Sequence, residues 1–136
     1  MDAVFVDSWY FIAHLHKFDP DHWTALQLGR TFQTTNFVTH DGVLTEVLSF
    51  FSGRGSYWRN VASSLVREAM AAKQYKVIPL SRELFEEGLT LYERRSDKEY
   101  SLVDCISMHL MKRHDITRVL TNDHHFRQEG FTVVSE

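Results

Sequence analysis

Four acids, Asp7, Glu46, Asp104 and Asp123, stand where hydrophobic periodicity alone would not put them. Asp7 follows the apolar run Ala3-Val4-Phe5-Val6, and Asp123 follows Arg118-Val119-Leu120-Thr121-Asn122, so each comes just past a predicted strand. Asp104 falls in the first turn of a helix that starts after Ser101. Glu46 lies at the edge of an apolar arc made by Val43, Leu44, Val47, Leu48 and Phe51. Each acid alone has a structural explanation. Asp is a favoured N-cap, worth typically about 1 kcal/mol, which suits Asp7 and Asp123. Ser101-Leu102-Val103-Asp104 fits a capping box, and Glu46 could simply face water. Capping does not explain why several such acids would share one rim of a sheet, where like charges raise one another's pKa. A hard dication relieves that repulsion, and ligation by carboxylate oxygens alone suits Mg²⁺ or Mn²⁺. Such an ion lowers the pKa of a bound water and offsets charge on a phosphate during its transfer.

Competing chemistries are less well supported. His14, His16, His124, His125 and the pair Cys105 and His109 allow a zinc site to be drawn, but their spacings match no familiar zinc pattern. There is no Gly-x-Gly-x-x-Gly or Gly-Lys-Ser/Thr loop for a nucleotide and no Gly-x-Ser-x-Gly elbow. Asp7-Ser8-Trp9 lacks the second Asp expected of an aspartate-nucleophile phosphatase. Arg54, Arg59 and Lys98 are candidate contacts to a phosphate backbone.

The acids need elements to converge. Short apolar runs at 3–6, 36–39, 76–79, 118–120 and 131–134 predict five strands. Helical periodicity or capping signals occupy the intervals: residues 9–15, a helix capped by Asp21 carrying Trp23, Leu26 and Phe32, residues 43–51, and residues 58–70 after the loop Ser52-Gly53-Arg54-Gly55-Ser56. Later come a helix capped by Ser81 with Leu84, Phe85, Leu89 and Tyr92 on one side, the Ser101 helix, and a short one from His124. Strands alternating with helices, without a tight hairpin signal, predict a three-layer α/β/α sandwich with a short-stranded parallel sheet. Its ligand crevice lies beyond the carboxyl ends of the strands.

At 136 residues the chain fits a single domain, 1–136, with enough apolar content (43%) to build a core. One cysteine excludes an internal disulfide and makes the cytoplasm the expected compartment. Neither a basic leader nor an apolar run of roughly 18 residues is present, so a soluble protein without a membrane partner is expected. The net charge of −3 argues against broad polyanion binding but leaves nucleic acid open.

Val6-Asp7-Ser8, Leu44-Thr45-Glu46-Val47, the block from Asp97 to Ser107, and Leu120-Thr121-Asn122-Asp123-His124-His125-Phe126 with Gly130-Phe131 together resemble PIN-domain proteins, above all the VapC-like toxins of toxin–antitoxin pairs. The resemblance spans nearly the whole chain. It implies a metal-dependent endoribonuclease with Mg²⁺ or Mn²⁺ at Asp7, Glu46, Asp104 and Asp123. Ser8 and Thr121 would support those acids, and Asp97 matches an outlying one. It also implies an RNA substrate, a small antitoxin partner and a homodimer. The alternatives are a catalytically silent PIN-like module that binds protein or RNA, its acids serving as caps, and an α/β phosphatase acting on small phosphoesters.

Overall fold

The computed structural model describes residues 2–134. Five strands, β1 (Ala3–Val6), β2 (Asn36–His40), β3 (Tyr75–Ile78), β4 (Arg118–Leu120) and β5 (Thr132–Val133), form one parallel sheet in the order β3-β2-β1-β4-β5. Parallel neighbours need crossovers, which here are helical. They are α1 (Ser8–Leu15), α2 (His22–Thr31), α3 (Asp41–Phe51), α4 (Ser56–Ala71), α5 (Arg82–Arg94), α6 (Leu102–Arg113) and α7 (His125–Gln128). Helices α1 to α4 contact one another as one group and α5 lies along α6 as another, so the sheet is flanked by helices as expected.

β1 is buried along its whole length, which is why it reads as an uninterrupted apolar run. Helix α6 is the most deeply set, with Cys105, Ile106, Ser107, Met108, Leu110 and Met111 all buried. The strand ends differ slightly from expectation. β3 stops at Ile78, leaving Pro79 outside the ladder it cannot donate to, and β5 covers two residues only.

Two helix faces are rotated from the predicted ones. In α2 the buried positions are Ala25 and Leu28, while Trp23 is 77% exposed. Asp21 occupies the N-cap position without capping, because its Oδ2 accepts from Trp9 Nε1 at 3.0 Å. In α5, Leu84 and Gly88 face inward, whereas Leu89 and Tyr92 are exposed. The physical reason is close approach. A Cβ on Gly88 would lie 2.3 Å from Ile106 Cγ1 and 3.1 Å from Ile106 Cα, so α5 seats against α6 through the missing side chain. Gly88→Ala gains about 1 kcal/mol of helix propensity but overpacks this seam at about 1–3 kcal/mol or more. The expected outcome is a lower melting temperature with unchanged helical content, measured by circular dichroism.

Candidate active site

The chain runs from β1 outward through β2 and β3, then returns to lay β4 on the other side of β1. The carboxyl ends of β1 and β4 therefore meet at the topological switch point, where open α/β sheets bind ligands. Asp7 leaves β1 there and Asp123 follows β4. Asp104 enters from the first turn of α6 and Glu46 from the middle of α3. All four line one cleft of about 340 Å³, together with Ser8, Trp9, Ile12, Ser101 and Asn122.

Local bonds fix three of the carboxylates through one oxygen each. Thr121, fully buried, donates from Oγ1 to Asp7 Oδ2 at 2.8 Å and accepts from Asp123 N at 3.1 Å, so a single hydroxyl ties the ends of β1 and β4 together. Asp104 completes the capping box: Ser101 N donates to its Oδ2 at 3.1 Å and Asp104 N donates to Ser101 Oγ at 3.0 Å. His125 N donates to Asp123 Oδ1 at 2.9 Å, which starts α7. The capping explanation is thus correct for Asp104, whereas Asp123 precedes the N-cap position of α7, which is His124, and its bond from His125 N closes a turn at the entrance of that helix. Asp7 sits at the N-cap position of α1 but makes no cap bond with its side chain.

The electrostatics are strained. Asp7 is 6% exposed, and burial pushes its carboxyl from 3.8 up to about 7; the Thr121 hydroxyl opposes the rise, while Asp104 and Glu46 add to it. Burial also raises Glu46, opposed by the Ser8 hydroxyl and reinforced by Asp104 and Asp123. Asp104 is raised by burial as well, against the Ser101 backbone bond, with Asp123 adding repulsion. Near neutral pH the cleft is short of positive charge.

A histidine that periodicity did not single out completes the picture. His125 Nδ1 is buried without a hydrogen-bond partner, 3.0 Å from Asp123 Oδ1 and 3.8 Å from Asp104 Oδ2. Single ligand atoms of Asp104, Asp123 and His125 lie within 4.8 Å of one another. A buried ring nitrogen without a hydrogen-bond partner beside two carboxylates makes a set of ligand atoms that fits a divalent ion. The His125 ring lies 5.3 Å from that of Tyr100, whose hydroxyl donates to Glu129 Oε1 at 3.2 Å. Glu129 is in turn held by Arg95 and Lys112.

Other expected site residues lie elsewhere. Asp97 pairs with Lys98 at 3.5 Å and is 72% exposed, outside the residues that line the cleft, and so is Lys98. The charged connector carries both away from the switch point. Arg54 Nε donates to Phe50 O and its guanidinium lies over the Phe50 ring. Arg59 Nη1 donates to Ser52 O and lines a separate groove with Thr45, Ser49 and Asn60. Of the candidate zinc residues, Cys105 is buried in the core with its thiol pushed up to about 11 by burial, and His109 faces Glu87 at 2.7 Å. The two do not face a common centre.

Burial also shapes the support of Glu46. His40 precedes α3, and its Nδ1 accepts from Gly42 N at 3.0 Å while Nε2 meets Ser107 Oγ at 2.9 Å. Burial pushes the imidazole down to about 4, so it stays neutral and anchors α3 to α6.

Among solved structures, the chain resembles the crystal structure of Mycobacterium tuberculosis VapC20, a sarcin–ricin-loop-cleaving toxin, with a TM-score of 0.87 and 23% identity over 98% of this chain and 99% of that one. At that identity the likeness speaks for the fold. No curated protein matches the chain in sequence. The sequence model of the PIN domain matches residues 4–131, and these span both strands of the switch point and all four acids. This chain therefore belongs to the PIN-domain family.

Proposed function

We propose that this protein is a divalent-metal-dependent endoribonuclease of the VapC toxin kind, hydrolysing RNA phosphodiester bonds in the cleft of Asp7, Glu46, Asp104 and Asp123. The observation that carries this reading is the convergence of four acids from four separate elements onto one switch-point crevice. Asp104 and Asp123, with His125 Nδ1 beside them, would hold Mg²⁺ or Mn²⁺. Asp7 and Glu46 complete the negative wall. An ion held there supplies Lewis acidity, lowering the pKa of a bound water and stabilising charge on the phosphoryl group.

The chain's own residues do the rest. Thr121 keeps Asp7 aimed into the cleft, and the Ser8 hydroxyl opposes the upward shift of Glu46. The buried wall of β1 and β4 keeps the local dielectric low, which strengthens each charge interaction. Carboxyls with raised pKa values give up bound protons when a cation enters, so metal uptake is linked to proton release. A small antitoxin, a homodimeric assembly and action in the cytoplasm belong to the same proposal. Among the described residues no helix is long and apolar enough to cross a membrane.

The test is cleavage of an RNA hairpin, beginning with the sarcin–ricin loop cut by the mycobacterial toxin. The expected result is discrete fragments with Mg²⁺ or Mn²⁺, none in EDTA, and no hydrolysis of a generic phosphomonoester. Isothermal titration with Mn²⁺ at pH 6 in two buffers of different ionisation enthalpy should show stoichiometric uptake with proton release. The competing reading, a silent binding module, draws on the capping box of Asp104 and the turn bond of Asp123 and expects no stoichiometric uptake. Intact RNA together with a flat titration would establish that alternative.

A further inference from the structure

Beyond the acid cleft, the largest unexplained feature is a group of aromatic rings where α1 ends and α3 passes into α4. Trp58 stacks on His16 at 4.9 Å and 11°, and Phe51, fully buried, stacks on both at 6.0 and 5.4 Å. This column is rooted in the core. Around it three rings face solvent: Phe18 at 76%, Tyr57 at 68% and Phe50 at 38%. Exposed aromatics gathered in one patch mark a recognition surface more often than a folding requirement.

Two observations say what it recognises. The first is charge. Arg54 lies over the Phe50 ring at 4.1 Å from its centroid, and Lys17 over Phe18 at 5.3 Å. Rings topped by cations are the chemistry of single-stranded nucleic acid, where bases stack and the phosphates between them meet positive charge. The acids beside the patch are already engaged: Asp19 accepts from Asp21 N, and Asp21 accepts from Trp9 Nε1. The second is continuity. Ile12 and Glu46 line the acid cleft. His16 and Phe50 stand four residues further along the same two segments, one helical turn of about 5.4 Å, with ring centroids 6.2 Å apart. The patch therefore begins about one helical turn from the acid cleft.

We propose that Phe18, Phe50 and Tyr57, with Lys17 and Arg54, form a stacking platform that holds an unpaired base of the RNA next to the phosphate in the acid cleft. The platform rests on the nuclease reading for its direction, but its chemistry is binding and can be measured without turnover. Base stacking on an aromatic contributes about 1–3 kcal/mol, equivalent to about 5- to 150-fold in affinity.

The experiment measures fluorescence anisotropy of a labelled six-nucleotide single-stranded RNA in calcium buffer. Wild-type protein is compared with the Phe18→Ala/Phe50→Ala double variant, Phe50→Trp, and Arg54→Ala. Each RNA is also tested with one abasic nucleotide at each position in turn. The rings removed are exposed, so the melting temperature should stay within a few degrees. The expected result is a tenfold or greater loss of affinity in the double variant, retention in Phe50→Trp, and quenching of tryptophan fluorescence on binding. One abasic position should weaken wild type about tenfold and leave the double variant indifferent. Absence of RNA binding by wild type, equal affinity in the double variant, or no abasic effect at any position overturns the platform, and a patch built for a protein partner would give that outcome. Binding with this pattern but without cleavage in Mg²⁺ or Mn²⁺ would remove the nuclease reading alone. Cleavage with no abasic effect would remove the platform alone.

Discussion

Asp104→Asn is expected to abolish metal-dependent RNA cleavage, lowering the rate by at least about a hundredfold, while the protein remains folded. The substitution keeps the side chain's shape and leaves the bond from Asp104 N to Ser101 Oγ in place, so α6 still starts at Leu102. What it loses is negative charge at the helix N-terminus, worth about 0.3–1 kcal/mol, and it gains relief from the repulsion of Asp123. The two roughly offset. At the site the loss is one-sided. A neutral amide is a poor ligand for a hard dication, and several kcal/mol of charge stabilisation in the transition state corresponds to two or more orders of magnitude in rate. Mn²⁺ affinity measured by titration should fall in parallel with the rate. A purified variant that cuts RNA as fast as wild type would remove Asp104 from the mechanism and the proposed function with it.

The second large effect is on stability and has an unusual sign. Most native carboxylates stabilise a fold as pH rises, but Asp7 is held near 7 in the folded protein against 3.8 in the ordinary state. Between those values the native state binds more protons than the unfolded chain, so its contribution to stability falls as pH rises through that window and is flat above it. The span of about 3 units at 1.36 kcal/mol each sets an upper value of about 4 kcal/mol. His40 works in the opposite direction, since its folded value of about 4 lies below the unfolded one and its penalty fades as pH climbs toward 6.5. A pH profile of the wild type alone would mix the two.

The difference between Asp7→Asn and wild type cancels the histidine. In EDTA, urea unfolding should show the variant no more stable than wild type at pH 4, gaining steadily to a plateau of up to about 4 kcal/mol above pH 7. Asn retains an oxygen to accept the Thr121 hydroxyl. Millimolar Mn²⁺ should then stabilise wild type more than the variant, which lacks one charge of the negative wall. A difference that does not change between pH 4 and 8 would mean that the Asp7 carboxyl is not strained in the cleft.

Much of this was legible in the sequence because the acids occupy the ends of elements. A strand buried on both faces reads as a continuous apolar run, and the polar residue that ends it marks the rim of the sheet, which is how Asp7 and Asp123 stood out. Capping chemistry located Asp104 through Ser101. Faces of the more exposed helices were less legible. Trp23 looks like core by hydropathy, yet α2, which packs on α1, buries Ala25 and Leu28 instead. In α5 the seam is set by Gly88, a residue with no hydropathy to notice. The Glu129 cluster escaped for another reason, whereas His125 was named as a metal candidate without its carboxylate partners. The partners of Glu129 stand far apart in the chain, as Arg95 does at a separation of 34 residues, and no local period encodes such a meeting. Asp97 and Lys98 erred in the other direction: a motif position carried no information about where a charged connector would point.

The bond between Thr121 and Asp7 closes a separation of 114 residues, and β4 must be present before β1 has its second neighbour. During synthesis the amino-terminal half emerges first, carrying Asp7 and Glu46 without the other two acids. At about 5–20 residues per second, the 77 residues from Glu46 to Asp123 take on the order of 4–15 s to add. Throughout that interval the nascent chain has half a cleft and no hydrolytic centre. On the proposed function, the chain could not cut the message it is being translated from until β4 and β5 leave the ribosome.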